Sequence, residues 1–564
     1  MIRVVVGVVL FSLAVSAALA QSAVETALKQ IPDDAAMVFV IPNVEKLVTD
    51  AGAFAKAAGG NISGKLQPAE LISELHLLPN ATGVDFGAPL VVAMNPTLLL
   101  PTTICGLKDA AAWKEAAGAK PGAGESLTLG EKGSESYASL RGSLLIHAMD
   151  EGAVEDAAKS SGKIGARIAK LAGDQLRECD ALLFIDTPAW QLQVNQGLAM
   201  AEGFMSMASL SNPSSAGSSA IFTWALHGVR AVVGDARSTL VTLSVGADAV
   251  RLRHFSEFPT ETKVGAFLKG IRRGDRDLLR GLPAGRAVLC FANEWEQSAD
   301  ALSIQEDATR AMLSGLPPNE ETEKLKGEFA QLRETFRSLN GFAASIALSE
   351  DGKSLVIAGT YLTRQGRALL EKFPAMWRTG FQVASSAAAP LHADLDAQRE
   401  KIGDADALRM KFNITGEQTE MLDTLKRIYG EDSTIYATTF DDGVRYALGP
   451  GEAARRKFEH MTAADAAALD TDERVRAALK TISPKPQLLV LIDLMKAAEA
   501  ATVLARGAGA PMPEFKATGE PPELAAAAIY LDEQAIRTEL RVPTKPIRTL
   551  IDAQRAAAET GPGY

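Results

Sequence analysis

Three short polar clusters carry the residue types used in acyl-transfer chemistry: Ser160-Ser161-Gly162-Lys163, Ser338-Leu339-Asn340 and Arg378-Thr379-Gly380. A serine at a helix start, with a lysine one turn on, places an amine where it can take the hydroxyl proton as the oxygen attacks a carbonyl. Read this way, Ser160 is the nucleophile and Lys163 lowers its pKa, while Ser338 and Arg378 complete the proton relay and bind a carboxylate. A second cluster, His392-Ala393-Asp394-Leu395-Asp396, offers an imidazole and two carboxylates, a donor set suited to Zn²⁺ or Mn²⁺. On a strand, His392, Asp394 and Asp396 share one face; on a helix, His392 and Asp396 meet at i, i+4. Pro390 just ahead suits a helix start instead, where carboxylates favour the positive end of the dipole.

In order and type, the first three clusters resemble the S-x-x-K, S-x-N and K-T-G elements of penicillin-recognising serine hydrolases. The resemblance implies a serine hydrolase acting on cell-wall peptide or a β-lactam. The chain departs from that pattern in three ways. Arg378 stands where the family has lysine, the spacings are irregular, and the clusters fall in different halves of the duplication described below. A solvated loop for Ser160–Lys163 is the simpler reading. There is no G-x-S-x-G, phosphate-binding loop, dinucleotide fingerprint or H-E-x-x-H. The expectation is a non-enzymatic protein with no resident metal or cofactor.

The elements that would position such residues repeat. Ile31 to Val48 reads as a proline, a buried strand from Met37 to Ile41, then a helix capped by Asn43 with an apolar face of Val44, Leu47, Val48, Ala51 and Phe54. Looser copies are DALLFIDTPAWQLQV, LPAGRAVLCFANEWEQSADAL and SPKPQLLVLIDLMKAAEAA, with Thr187, Asn293 and Asp493 at the cap positions. Hairpins are expected around Gly246-Ala247-Asp248, Asp351-Gly352 and Asp442-Gly443. The stretch from Ser206 to Ser219 reads as a linker. Together these predict an α+β fold built as a tandem duplication. Its sheets are mostly antiparallel or mixed, with helices packed on one face, and its halves run over 21–280 and 281–564.

Composition bounds the rest. Of 564 residues, 47% are hydrophobic and 23% charged, which is ordinary for globular domains. A net charge of −11 without a basic stripe argues against nucleic acid. Arg3, the apolar run Val4–Ala17 and Ala18-Leu19-Ala20 form a secretory leader over 1–20, so the mature chain is expected to start near Gln21. Retention of that run as an anchor is the alternative, and no transmembrane segment is expected after it. The three cysteines have no paired spacing, and one disulfide would leave a thiol over.

The opening Ile31-Pro32-Asp33-Asp34, followed by Met37 to Leu47 just after a leader, resembles uncharacterised secreted bacterial proteins of the DUF3352-like type. That family has no established activity, so the resemblance implies secretion and supplies no catalytic residues. The expected function is a periplasmic or secreted binding or scaffold protein whose partner is an unknown protein or envelope ligand.

Overall fold

A computed structural model describes residues 23–560, apart from 61–66, 98, 123, 132, 212–229, 231–232, 272–278, 280, 286, 295–309, 311–319, 387–390, 417–422, 424–425, 427–430, 442, 464–466, 508–514 and 516–522. The expected leader, and the expected linker beyond Ser211, lie outside the described residues. The chain divides into two compact units, Met1–Leu192 with Ala236–Glu257 and Gln193–Asp235 with Phe258–Tyr564.

The strands of the first unit are β1 (Met37–Ile41), β2 (Leu90–Met94), β3 (Pro101–Gly106), β4 (Lys120–Pro121), β5 (Leu127–Leu129), β6 (Ser136–Arg141), β7 (Leu144–Ala148), β8 (Ala181–Ile185), β9 (Ser238–Val245) and β10 (Ala249–Glu257). They pair in the order β4-β5-β6-β7-β3-β2-β1-β8-β9-β10, antiparallel throughout. The second unit has β11 (Leu289–Glu294), β12 (Gly341–Leu348), β13 (Leu355–Leu362), β14 (Leu391–Ile402), β15 (Ala405–Gly416), β16 (Ser433–Phe440), β17 (Gly443–Pro450), β18 (Leu488–Ile492), β19 (Ala525–Asp532) and β20 (Ala535–Pro543). Their order is β14-β15-β16-β17-β13-β12-β11-β18-β19-β20, again antiparallel throughout. Position for position, this is the strand order of the first unit. The class is α+β.

Helices cover both faces of each sheet, which corrects the expectation of one covered face. Neighbouring strand residues point to opposite sides. In β3, Ile104 packs in a core with Val154 and Ile168, whereas Cys105 packs with Ile72 and Trp113. In β17, Ala447 packs with Phe458, and Tyr446 with Phe373 on the other side. Such strands read as continuous apolar runs, as β1 does.

Two of the four expected caps form among the described residues, and the helix expected after Asn293 lies outside them. Asn43 accepts from Lys46 N at 2.8 Å, and Asp493 accepts from Lys496 N at 3.0 Å. Thr187 is instead the first residue of the helix Thr187–Ser211, with Asp186 at the junction. Asn293 lies inside β11, where its side chain accepts from Phe342 N at 2.9 Å. The same helix runs through Ser211, so the first six residues of the expected linker are helical.

Asp186 and Asp493, each directly after the central strands β8 and β18, are held alike. The Asp186 N–H donates to Ala36 O at 2.7 Å, and that of Asp493 to Val288 O at 3.1 Å. Arg167 reaches Asp186, and Arg474 reaches Asp493, each at 3.2 Å. The burial differs, with the carboxylate-bearing side chain 29% exposed in the first pair and 0% in the second.

Cys105, Cys179 and Cys290 are free and buried, so the disulfide weighed above does not form. Burial pushes the Cys105 and Cys290 thiols up to about 12, and that of Cys179 to about 11.

His147 on β7 is 7% exposed, with Nδ1 3.2 Å from Leu77 O and Nε2 unpartnered. Burial lowers its pKa below the ordinary 6.5. The unfolded chain therefore binds this proton more readily. The stability contributed by neutral His147 is complete above about 6.5 and falls as the pH drops below it, levelling off under the folded value. His147→Gln is expected to flatten the loss of urea midpoint between about pH 6.5 and 5 relative to the parent. His254, lowered by burial as well, remains in both proteins and cancels from the difference.

Candidate functional site

In the second unit, a groove of about 650 Å³ opens between the β12–β13 hairpin tip and the helix Gly451–Thr462 that follows β17. Ala347 and Val356 supply its apolar surface on the strand side. The helix starts where Asp432 accepts from Gly451 N at 3.2 Å. Its residues Ala453, Arg456, Lys457 and His460 then line one wall at spacings of three and four.

The carboxylates at this groove are committed. Glu350 accepts from Arg456 at 2.6 Å and Glu452 accepts from it at 3.2 Å. Asp351 accepts from Ser349 Oγ at 2.5 Å and from Lys353 N at 3.1 Å, and the Ser349 hydroxyl is the main cause of its lowered pKa. Lys457 is different. It is half-buried, and among the described residues no carboxylate pairs with it. Burial lowers its pKa, with the nearby Cys290 opposing the shift. An ammonium kept partly dry without a partner carries an uncompensated desolvation cost.

The first unit has a cavity in the same place, between the β2–β3 connection and the helix Glu151–Ala158 after β7. It measures only about 90 Å³ and is lined partly by Pro32, Asp34 and Ala35. Asn95 Nδ2 donates to Asp34 there.

The sequence-predicted residues fall as follows. The Ser160 hydroxyl donates to Ile31 O at 2.5 Å and accepts from Gly162 N at 3.1 Å. Its one proton is thereby used on the backbone. Ser161 donates from Oγ to Asp33 at 2.9 Å and from N to Asp33 at 3.2 Å, which ties down the Ile31–Asp34 opening; the Oγ bond is the main cause of Asp33's lowered pKa. Lys163 is exposed at the start of the helix Lys163–Ala172. Ser338 and Arg378 belong to the second unit; Ser338 Oγ donates to Thr335 O at 2.8 Å, and Arg378 is exposed on the helix Gly366–Ser386. His392, Asp394 and Asp396 lie on β14, not on the helix that Pro390 suggested. At alternate places they share a strand face, Asp394 and Asp396 being exposed. The His392 side chain is outside the described residues, among which no three His, Cys, Asp or Glu side chains form a metal-holding group.

Sequence reasoning missed the groove's helical wall. The signal was a basic stripe, Arg456, Lys457 and His460, beside the Ser- and acid-rich turn from Ser349 to Ser354. Nothing local marks Lys457 as half-buried, because its neighbours Gly285 and Cys290 lie more than 160 residues earlier. Among the described residues, no helix is long and apolar enough to cross a membrane. Comparison with family models, curated proteins and solved structures finds no match.

Proposed function

We propose that this chain is an exported binding protein, periplasmic or secreted, whose ligand occupies the groove lined by Lys457. The observation that carries the reading is that groove, open at about 650 Å³ where the corresponding place in the first unit is reduced to about 90 Å³. A concave site with apolar lining and a few convergent polar groups is the usual form of a small-ligand site. The identical strand order of the units, and the matching Asp186 and Asp493 junctions, support a tandem duplication in which one copy keeps the site open. The leader Met1–Ala20 supports export.

Ala453→Trp tests the site, since an indole on the helix wall fills the groove at a solvent-facing position. In a thermal-shift screen of envelope metabolites and cell-wall fragments, compounds that stabilise the parent are expected to lose their effect on this variant. A screen in which both proteins respond alike overturns the assignment. Sequencing of the protein recovered from the producing cell is expected to begin near Gln21.

A further inference from the structure

We infer that the groove of the second unit binds a carboxylate, at the place that the first unit lines with its own Asp34. The inference rests on the proposed binding role and specifies its chemistry. The two units differ here in charge, the second being the more positive. Ahead of β1 the chain reads Ile31-Pro32-Asp33-Asp34; ahead of β11 it reads Leu282-Pro283-Ala284-Gly285. Ile31 and Leu282 are both buried, at 0% and 1%, so the two stretches enter their units alike. The acids of the first are absent from the second.

The helix after the seventh strand changes in the same sense, gaining two cations for one added acid. Gly152, Asp156 and the neighbouring Ser160 in the first unit stand where the second has Glu452, Arg456 and His460, and Ala157 where it has Lys457. A Cβ added to Gly285 would lie 3.9 Å from Lys457 Nζ. The amine thus faces bare backbone in the stretch that matches the acidic one. With Glu350, Glu452 and Asp351 already bonded, Lys457 is, among the described residues lining the groove, the half-buried charge without a counter-charge. Those same three carboxylates disfavour a second negative charge, so a monoanion fits best.

The carboxylate can come from a free organic acid or from an acidic peptide side chain, and the test separates them. Full-length protein carrying ¹³C-methylated lysines is titrated with propionate, with propionamide, with the blocked peptide Ile-Pro-Asn-Asp-Ala and with its Asn-Asn counterpart. The Lys457 resonance is assigned through Lys457→Arg. Both acids, and neither amide, are expected to move that resonance and raise its titration midpoint. Lys457→Met is expected to weaken binding about tenfold or more, the loss of one charge-assisted contact. Tighter binding of the peptide assigns the site to acidic segments, and tighter binding of propionate to free acids. Amides binding as well as acids, Lys457→Met binding as well as the parent, or no response at about 20 mM probe overturns the inference. A screened compound that Ala453→Trp abolishes and Lys457→Met spares keeps the groove as the binding site and removes the carboxylate.

Discussion

Arg474→Met is expected to destabilise the second unit by about 3 kcal/mol, read as a fall in its denaturant midpoint. Arg474 bonds Asp472 at 2.9 Å and Asp493 at 3.2 Å, and the Asp493 side chain is 0% exposed. Asp493 also caps the following helix through Lys496 N. Removing the guanidinium takes from a buried carboxylate the ion pair that Arg474 supplies, which costs far more than a surface pair returns. The matched pair in the first unit supplies the comparison. Arg167 and Asp186 are 25% and 29% exposed, so Arg167→Met is expected to cost about 1 kcal/mol or less after solvent screening. In the Arg474→Met background, Asp493→Asn is expected to restore part of the loss, because the amide oxygen still caps the helix and the buried charge is gone. Equal losses for Arg167→Met and Arg474→Met would show that burial does not set the cost.

The second large effect is at Gly443, the first residue of β17. Its φ is +153°, and a Cβ there would stand 1.9 Å from Tyr361 O on the paired strand β13. The obstacle is backbone held in a ladder, Tyr361 lying opposite Val444 and Leu362 opposite Gly443. A side chain cannot rotate out of the way. Gly443→Ala is expected to cost about 4 kcal/mol, through bond-angle strain or a local opening of the β13–β17 ladder. Gly352, in the β12–β13 turn, provides the control. It has φ +67° with open space around its Cβ position, so Gly352→Ala is expected to cost about 1 kcal/mol. Soluble expression and thermal midpoints of the two variants distinguish strain with a clash from strain alone.

Where local chemistry decides structure, the sequence was readable. The alternation from Phe342 to Leu348 and back from Leu355 to Tyr361 folds as β12 and β13 around the Asp351-Gly352 turn. Asp109 caps the helix Ala110–Ala116 through Ala111 N and Ala112 N, and Gly118 follows it with φ +59°. The Gly246–Asp248 turn joins β9 to β10 as its residues suggested. The β14–β15 hairpin escaped because β14 is dominated by exposed polar residues, so its alternation carries no apolar contrast. Thr187 failed as a cap by one residue, within the ordinary uncertainty of a helix boundary. The groove was the least legible part. Arg456, Lys457 and His460 look like any solvated stripe until the fold brings Lys457 against the Gly285 backbone and near Cys290.

The strand order also governs how the chain can be made. At the middle of each sheet, Met37 pairs with Ile185 and Leu289 with Ile492. A chain emerging N-terminus first therefore holds β1 with one edge unpaired until the whole β2–β7 meander and its helices have been synthesised. β11 waits in the same way for β18. Such non-local closure makes folding slow, and the waiting edge is an apolar strand that can pair with another chain. Refolding yield is accordingly expected to fall steeply as protein concentration rises.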